Sequence, residues 1–411
     1  MYRSLTPLVA VGFAVLISCS QHAPMSQKMS LGVDLFYSNQ LDSAYKSLNS
    51  VMQSDPRNAQ CSAYLAETAR RLDRQQDAIY HAYRTLQLDA CNSFAHTVLA
   101  EVYNPIHVSS GPSSFDSVWT HAQAAISCDS TDGNAWLVIW TEAIRRGDRE
   151  WENRALAALD HNNFFSPGII EYNRWVLENL PPDAILLTNG DLDTYPAVML
   201  QSSRNLRPDV AIVNLSLMNT AWYPHYIATR YNLPLPVPDS VAANLKPYQS
   251  IEGEVVTIAC QKVEGWAARI ADSSLQRPLT PALTVYNKNL SPHCRRQLAL
   301  AGAYFRFDPT LTQPQDDPEA VRRAFDSARL DLYQGTMASL SDRSPIRRMS
   351  SVFPALNLCT MGINICRHQL EQGDRDGARE YLNKTKALAT ATGQLAHFSE
   401  QFKELEKLMQ G

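Results

Sequence analysis

The sequence predicts an α-rich α/β protein: an N-terminal α-solenoid, a central α/β domain on one parallel sheet, and a C-terminal helical hairpin. Three observations lead there. Small and apolar residues recur with a period of 34 through the first half. At Pro181-Pro182 this gives way to short apolar runs one helix apart, and from Ala355 the helical period returns. The chain has 411 residues, enough for two to four domains with cores of their own. With 37 basic against 41 acidic side chains and a pI near 6.2, it lacks the basic excess that binding a phosphate backbone requires, so no nucleic-acid partner is expected.

At the N-terminus, Arg3 precedes the apolar run Leu5–Ile17, thirteen residues long. That suits the core of an export signal and falls short of the roughly 20 residues a spanning helix needs. The run ends in Leu16-Ile17-Ser18-Cys19, which resembles the bacterial lipobox. The resemblance implies removal of residues 1–18, acylation of Cys19 with palmitate-type chains, and a tether over 19–28. The expected location is the bacterial envelope, with the chain anchored through lipid and facing the periplasm, since buried acyl methylenes contribute about 0.8 kcal/mol each. The other seven cysteines are scattered too widely to read as a disulfide framework, and most are expected to be small buried hydrophobes. No CxxC motif or histidine pair at ligand spacing suggests zinc.

The repeats occupy residues 29–162. Gly32, Leu35, Leu41, Ala44, Leu48, Val51 and Pro56 share offsets with Ala66, Ala69, Gln75, Ala78, Ala82, Thr85 and Ala90. A third unit begins near Ala100 and, after an insertion in the Ser-, Gly- and Pro-rich stretch Pro105–Ser114, resumes at Phe115, Val118, Ala122 and Ala125. A fourth hairpin straddles Gly147-Asp148, with Trp136 and Trp140 before it and Leu156 and Leu159 after it. Small residues at fixed offsets are what two closely packed helices need, and the pattern resembles the tetratricopeptide repeat. Stacked hairpins of this kind form a concave groove, the expected seat of a protein partner.

Residues 163–340 are expected to form the α/β domain. Asp183–Thr188 reads as a buried parallel strand, Tyr195–Leu206 as a helix and Val210–Leu215 as a second strand. Ligands in such sheets sit at the carboxyl ends of the strands. That edge gives a candidate ligand-binding loop of Asn189, Asp191, Asp193, Thr194 and Asn214, with Ser216 and Asn219 nearby. Asp191 and Asp193 could together hold a divalent metal through oxygen. Two enzyme classes use such a pair. Haloacid-dehalogenase-type phosphotransferases need an Asp at the strand end, where Asn189-Gly190 stands, and metal-dependent nucleotide-sugar glycosyltransferases need a nucleotide-binding unit where the repeats lie. Helix capping and loop ordering by the two carboxylates is the simpler reading. No cofactor and no catalytic residue is assigned.

The stretch Asp183-Ala-Ile-Leu-Leu-Thr-Asn-Gly-Asp-Leu-Asp-Thr-Tyr-Pro196 is followed by Leu206-Arg-Pro-Asp-Val210, Val213-Asn-Leu-Ser-Leu217 and Asn219-Thr-Ala-Trp-Tyr223. These resemble the soluble C-terminal part of a bacterial multi-span membrane family of unknown function, allied with protein O-mannosyltransferases. The resemblance extends over roughly residues 165 to 390, including Leu298–Arg306 and the surroundings of Gly373 and Ala378. Leu192 and Tyr195 depart mildly from it. In such relatives the membrane-spanning half would be expected to transfer the sugar, so the resemblance implies a detached exoplasmic domain.

Further on, Pro-rich residues 231–250 are expected to be a loop, Glu254–Ala271 a strand entering a helix, Leu283–Tyr286 a strand, Pro292–Ala303 a helix and Asp326–Met337 another helix. Arg343, Arg347 and Arg348 read as a solvated loop. Residues 341–411 form the closing helical hairpin, with Ala378 and Leu382 at the repeat offsets from Gly373. The expected function is that of a non-catalytic, lipid-anchored scaffold or adaptor. The alternative is a metal- or glycan-binding module, or a glycosyltransferase-related enzyme, using the Asp191/Asp193 loop.

Overall fold

The computed structural model describes residues 27–107, 112–285, 289–333 and 345–410. Cys19 and the export signal lie outside the described residues, as do Arg343 and the side chains of Arg347 and Arg348. No helix among the described residues is long and apolar enough to cross a membrane.

Four antiparallel hairpins form the N-terminal part: α1 (Gln27–Tyr37) with α2 (Leu41–Ser54), α3 (Ala59–Arg71) with α4 (Gln75–Leu88), α5 (Ser93–Val102) with α6 (Phe115–Cys128), and α7 (Gly133–Arg146) with α8 (Arg149–His161). The repeated small residues mark the crossings. A Cβ on Gly32 would come within 2.7 Å of the Leu48 side chain, so glycine lets α1 and α2 approach closely without moving Leu48. The turns between repeats are also repeated: Asn58 and Asn92 accept the free N–H groups of Cys61 and Ala95, and each donates back to the aspartate three residues earlier. Asp132 takes the same place before α7, accepting from Asn134 and Ala135.

One expectation about the cysteines is corrected. Cys91 and Cys128 form a disulfide, with Cα atoms 5.2 Å apart. Their separation of 37 residues conceals this proximity. Cys91 sits just before α5 and Cys128 ends α6, so the hairpin returns the chain to its start. Cys61, Cys260, Cys294, Cys359 and Cys366 are free and buried, as expected of small hydrophobes.

α9 (Pro167–Asn179) continues the solenoid, and the chain then enters β1 (Ile185–Thr188), α10 (Asp191–Arg204) and β2 (Ala211–Asn214). α10 packs on both α8 and α9 as the next solenoid helix would. After β2 come α11 (Leu215–Met218), α12 (Tyr223–Tyr231), α13 (Asp239–Ala242), β3 (Tyr248–Gln249), β4 (Val255–Val256) and α14 (Ile258–Ala271). The chain next crosses to β5 (Leu279–Pro281), giving a parallel sheet of order β2-β1-β5 with β1 central and fully buried. Register pairs Thr188 with Asn214 and Leu187 with Pro281. Pro281 is tolerated because β5 lies at the edge of this sheet.

Three expectations beyond this point shift. In place of the strand expected at Leu283–Tyr286, residues 283–285 form a turn after β5, and Tyr286 lies outside the described residues. The helix expected over Pro292–Ala303 stops early: α15 spans Pro292–Arg296, and β6 (Leu298–Leu300) pairs antiparallel with β7 (Phe305–Phe307). β8 (Gln315–Asp316) joins them on the other side of β6. Of the helix expected at Asp326–Met337, Asp326 and Ser327 end α16 (Pro318–Ser327), where Asp317 caps the helix and Pro318 fills its first turn, Leu330–Tyr333 form a 3-10 turn, and residues 334–337 lie outside the described residues.

α17 (Pro345–Glu371), α18 (Arg375–Ala391) and α19 (Ser399–Gln410) close the chain. One apolar core runs from Ala100 to Leu405, and two smaller clusters lie between the first and second hairpins and between the second and third. Trp175 of α9 donates to the Ala324 carbonyl of α16 (2.8 Å), and Asn357 of α17 donates to the Tyr172 hydroxyl (3.0 Å). The solenoid, sheet and closing hairpin are thereby packed as one body.

Candidate functional site at the groove and the β1 loop

The carboxyl ends of β1 and β5 meet at the point where the strand order reverses, the usual seat of a ligand in an open parallel sheet. Here Asp193 fills it. Its two oxygens accept from the backbone N–H groups of Asn189 (2.8 Å) and Gly190 (2.9 Å) and from the Thr284 hydroxyl, and the side chain is buried. Burial pushes the Asp193 carboxyl up, and these three donors pull it back toward the ionised form. The N–H groups that could cradle an anion are therefore occupied from within the chain.

The other predicted loop residues divide between structure and groove. Thr194 is buried against Thr188 (2.6 Å between hydroxyls) and accepts from the Asn214 amide (3.0 Å). Asn214 also caps α11 by accepting from Leu217, and Asn189 accepts at its carbonyl from Ser216. Asn219 accepts from the Ala259 N–H and so ties this loop to α14. Pro196 lies inside α10 and has no N–H for the Leu192 carbonyl. Asn173 of α9 supplies the missing donor at 2.9 Å.

Asp191 points elsewhere. It lines a cavity of about 1080 Å³ between the concave face of the solenoid and the β1 loop. The first helices of the hairpins furnish stripes at helical spacing: Gln60, Tyr64, Glu67 and Arg71 of α3; Phe94, Val98 and Glu101 of α5; Asn134, Val138 and Thr141 of α7. Ile106 and His107 enter from the lengthened turn of the third hairpin, and Tyr195, Asn214 and Ser216 from the α/β side. The two predicted carboxylates thus have different surroundings: the oxygens of Asp193 are held by donors of the chain itself, and Asp191 lines the cavity. No group of three or more metal-ligating side chains occurs among the described residues.

His107 and Glu101 pair at 2.7 Å on this wall. The bond to Glu101 holds the imidazole above its ordinary value; burial opposes ionisation of Glu101, but the same bond wins and lowers it. Asp191 is pushed up by the enclosing walls and then by the facing Glu101. Sequence reasoning missed Glu101, His107 and Thr284. The polar and aromatic stripes of α3 and α5 carried the signal for the groove, whereas nothing in the local sequence around Thr284 pointed to Asp193.

Residues 170–276 match the family model of TMEM260-associated domain 2. The match begins in α9 and ends just past α14, so it takes in the β1 loop and two of the three parallel strands. No curated protein matches. Among solved structures, the chain is similar to a MamA protein (16% identity, 51% of this chain and 96% of that one, TM-score 0.29). It is also similar to a tetratricopeptide repeat protein from Parabacteroides merdae (11% identity, 93% and 98%, TM-score 0.29). At these scores the repeat architecture rests on the hairpins described above. Within the TMEM260-associated domain 2 match, the most recognisable motifs serve folding. Arg207 donates to the Leu177, Leu180 and Pro181 carbonyls at the end of α9 and pairs with Asp209, which in turn accepts from the Asp183 N–H.

Proposed function

We propose that this chain is an exported, lipid-anchored scaffold of the bacterial envelope that holds a segment of a protein partner in the groove between its repeats and its α/β domain. The cavity of about 1080 Å³ carries the reading, because it is built from side chains of three successive first helices and is closed by a loop of another fold class. The Cys91–Cys128 disulfide supports export, since such bonds persist in oxidising compartments. The signal-like N-terminus and Cys19 support the anchor. The loop acts as one wall of the groove, with Asp193 as its internal brace.

The groove is tested by placing a photo-cross-linking residue at Asn134, inside it, or at Tyr80, an exposed position on the second helix of the second hairpin. Cross-linking in producing cells is expected to give a discrete protein adduct from Asn134 alone; adducts from Tyr80 alone would overturn the reading. For the anchor, labelled palmitate is expected in the wild type and absent from Cys19→Ala. Equal labelling of both removes the lipid anchor from the account.

A further inference from the structure

The groove wall is charged, and most of its charges neutralise one another. Arg70 holds Glu67 through two bonds of 2.7 and 2.8 Å, and His107 holds Glu101. Two charges remain. Arg71, the last residue of α3, donates to the neutral Asn39 amide oxygen (2.6 Å) and lies 5.0 Å over the Phe36 ring; it makes no ion pair among the described residues. Asp191, the first residue of α10, is solvent-exposed and makes neither a hydrogen bond nor an ion pair among the described residues; Glu101 repels it and His107 attracts it, the repulsion being the larger. The N-terminus of α10 favours a carboxylate there, but a helix end carries only about half a unit charge and does not cancel a full one. Arg71 and Asp191 line the same cavity from different walls, one on the second repeat and one on the α/β loop. Along that cavity run the rings of Phe36, Tyr64 and Phe94, stacked edge to face at 5.6 and 5.7 Å.

An occupant gains most if it supplies what each of these two charges lacks. Resting on the groove reading above, we propose that the occupant is an extended peptide segment with a basic side chain against Asp191 and an acidic group against Arg71, its intervening side chains lying on the aromatic ladder. Opposite charges on the two walls fix the direction in which the segment lies, since the reversed segment would face like charge at both. An aromatic wall suits the methylene stem of a lysine or arginine as well as an apolar side chain.

The experiment uses the purified full chain and a displayed library of random decapeptides, with the retained pool sequenced. Retained peptides are expected to show Lys or Arg at one position and Asp or Glu at another, at a constant spacing and in one order. A peptide synthesised from that consensus is expected to lose about tenfold in affinity for Asp191→Asn and about tenfold for Arg71→Gln, with each substitution cancelling only its own charge preference. If peptides are retained without a charge preference, or if both preferences survive the two substitutions, the charge assignment is wrong and the groove reading stands. If Asn134→Trp, which fills the groove, retains the library as well as the wild type does, the groove reading itself fails and this proposal with it.

Discussion

At Asp193 three donors converge on a carboxylate that is 5% exposed, so Asp193→Ala leaves the Asn189 and Gly190 N–H groups and the Thr284 hydroxyl without their acceptor. The expected loss is about 3 kcal/mol in denaturant unfolding, whereas Asp191→Asn, two residues away on the groove wall, should change stability by less than about 0.5 kcal/mol. An equal cost for both would mean that the loop is not braced as described. His121 gives a pH signature. Its Nδ1 lies 3.1 Å from that of His96, and burial, with the neighbouring imidazole, pulls its pKa down to about 4. The unfolded imidazole titrates near 6.5, so between about 6.5 and 4 the unfolded chain binds more protons and stability falls as pH falls. Urea midpoints measured across this window should slope less steeply in His121→Phe.

Among the elements, the third hairpin depends on a covalent clamp that its sequence spacing did not announce. For a separation of 37 residues, loop entropy predicts that replacing Cys91 and Cys128 by serine lowers stability by about 3 to 4 kcal/mol. An unchanged unfolding midpoint would remove the clamp from the account. α10 depends on a neighbour: Asn173→Ala strips the Leu192 carbonyl of the donor that stands in for the Pro196 N–H and should cost about 1 to 2 kcal/mol. Helices with small residues at fixed offsets were legible because the period itself encodes their packing. β1 and β2 were legible as apolar runs. α10 begins at Asp191, four residues before the predicted start, because the Asp193 carboxylate satisfies N–H groups of the preceding turn that pattern alone leaves open. β6, β7 and β8 were not legible, since strands of two or three residues carry too little alternation to register.

On the scale of the whole molecule, the sequence divides into three regions but does not show that they share a core. Ala100 and Leu405 belong to the same apolar cluster, and α10 serves both as a crossover helix of the sheet and as a further helix of the solenoid. The candidate loop was correctly placed at the strand ends. Which partners its two carboxylates meet was not legible, because Thr284 reaches Asp193 from 91 positions away and Glu101 of α5 faces Asp191 from 90. Because Asp193 is held from within the chain and Asp191 lines the groove, the proposed function rests on the groove that the loop helps to enclose. The most direct test takes the protein captured by the Asn134 cross-linker and titrates it, by calorimetry, into the wild type, Asn134→Trp and Tyr80→Ala. The groove account predicts at least about tenfold weaker binding to Asn134→Trp and an unchanged affinity for Tyr80→Ala; equal affinity for all three proteins would contradict it.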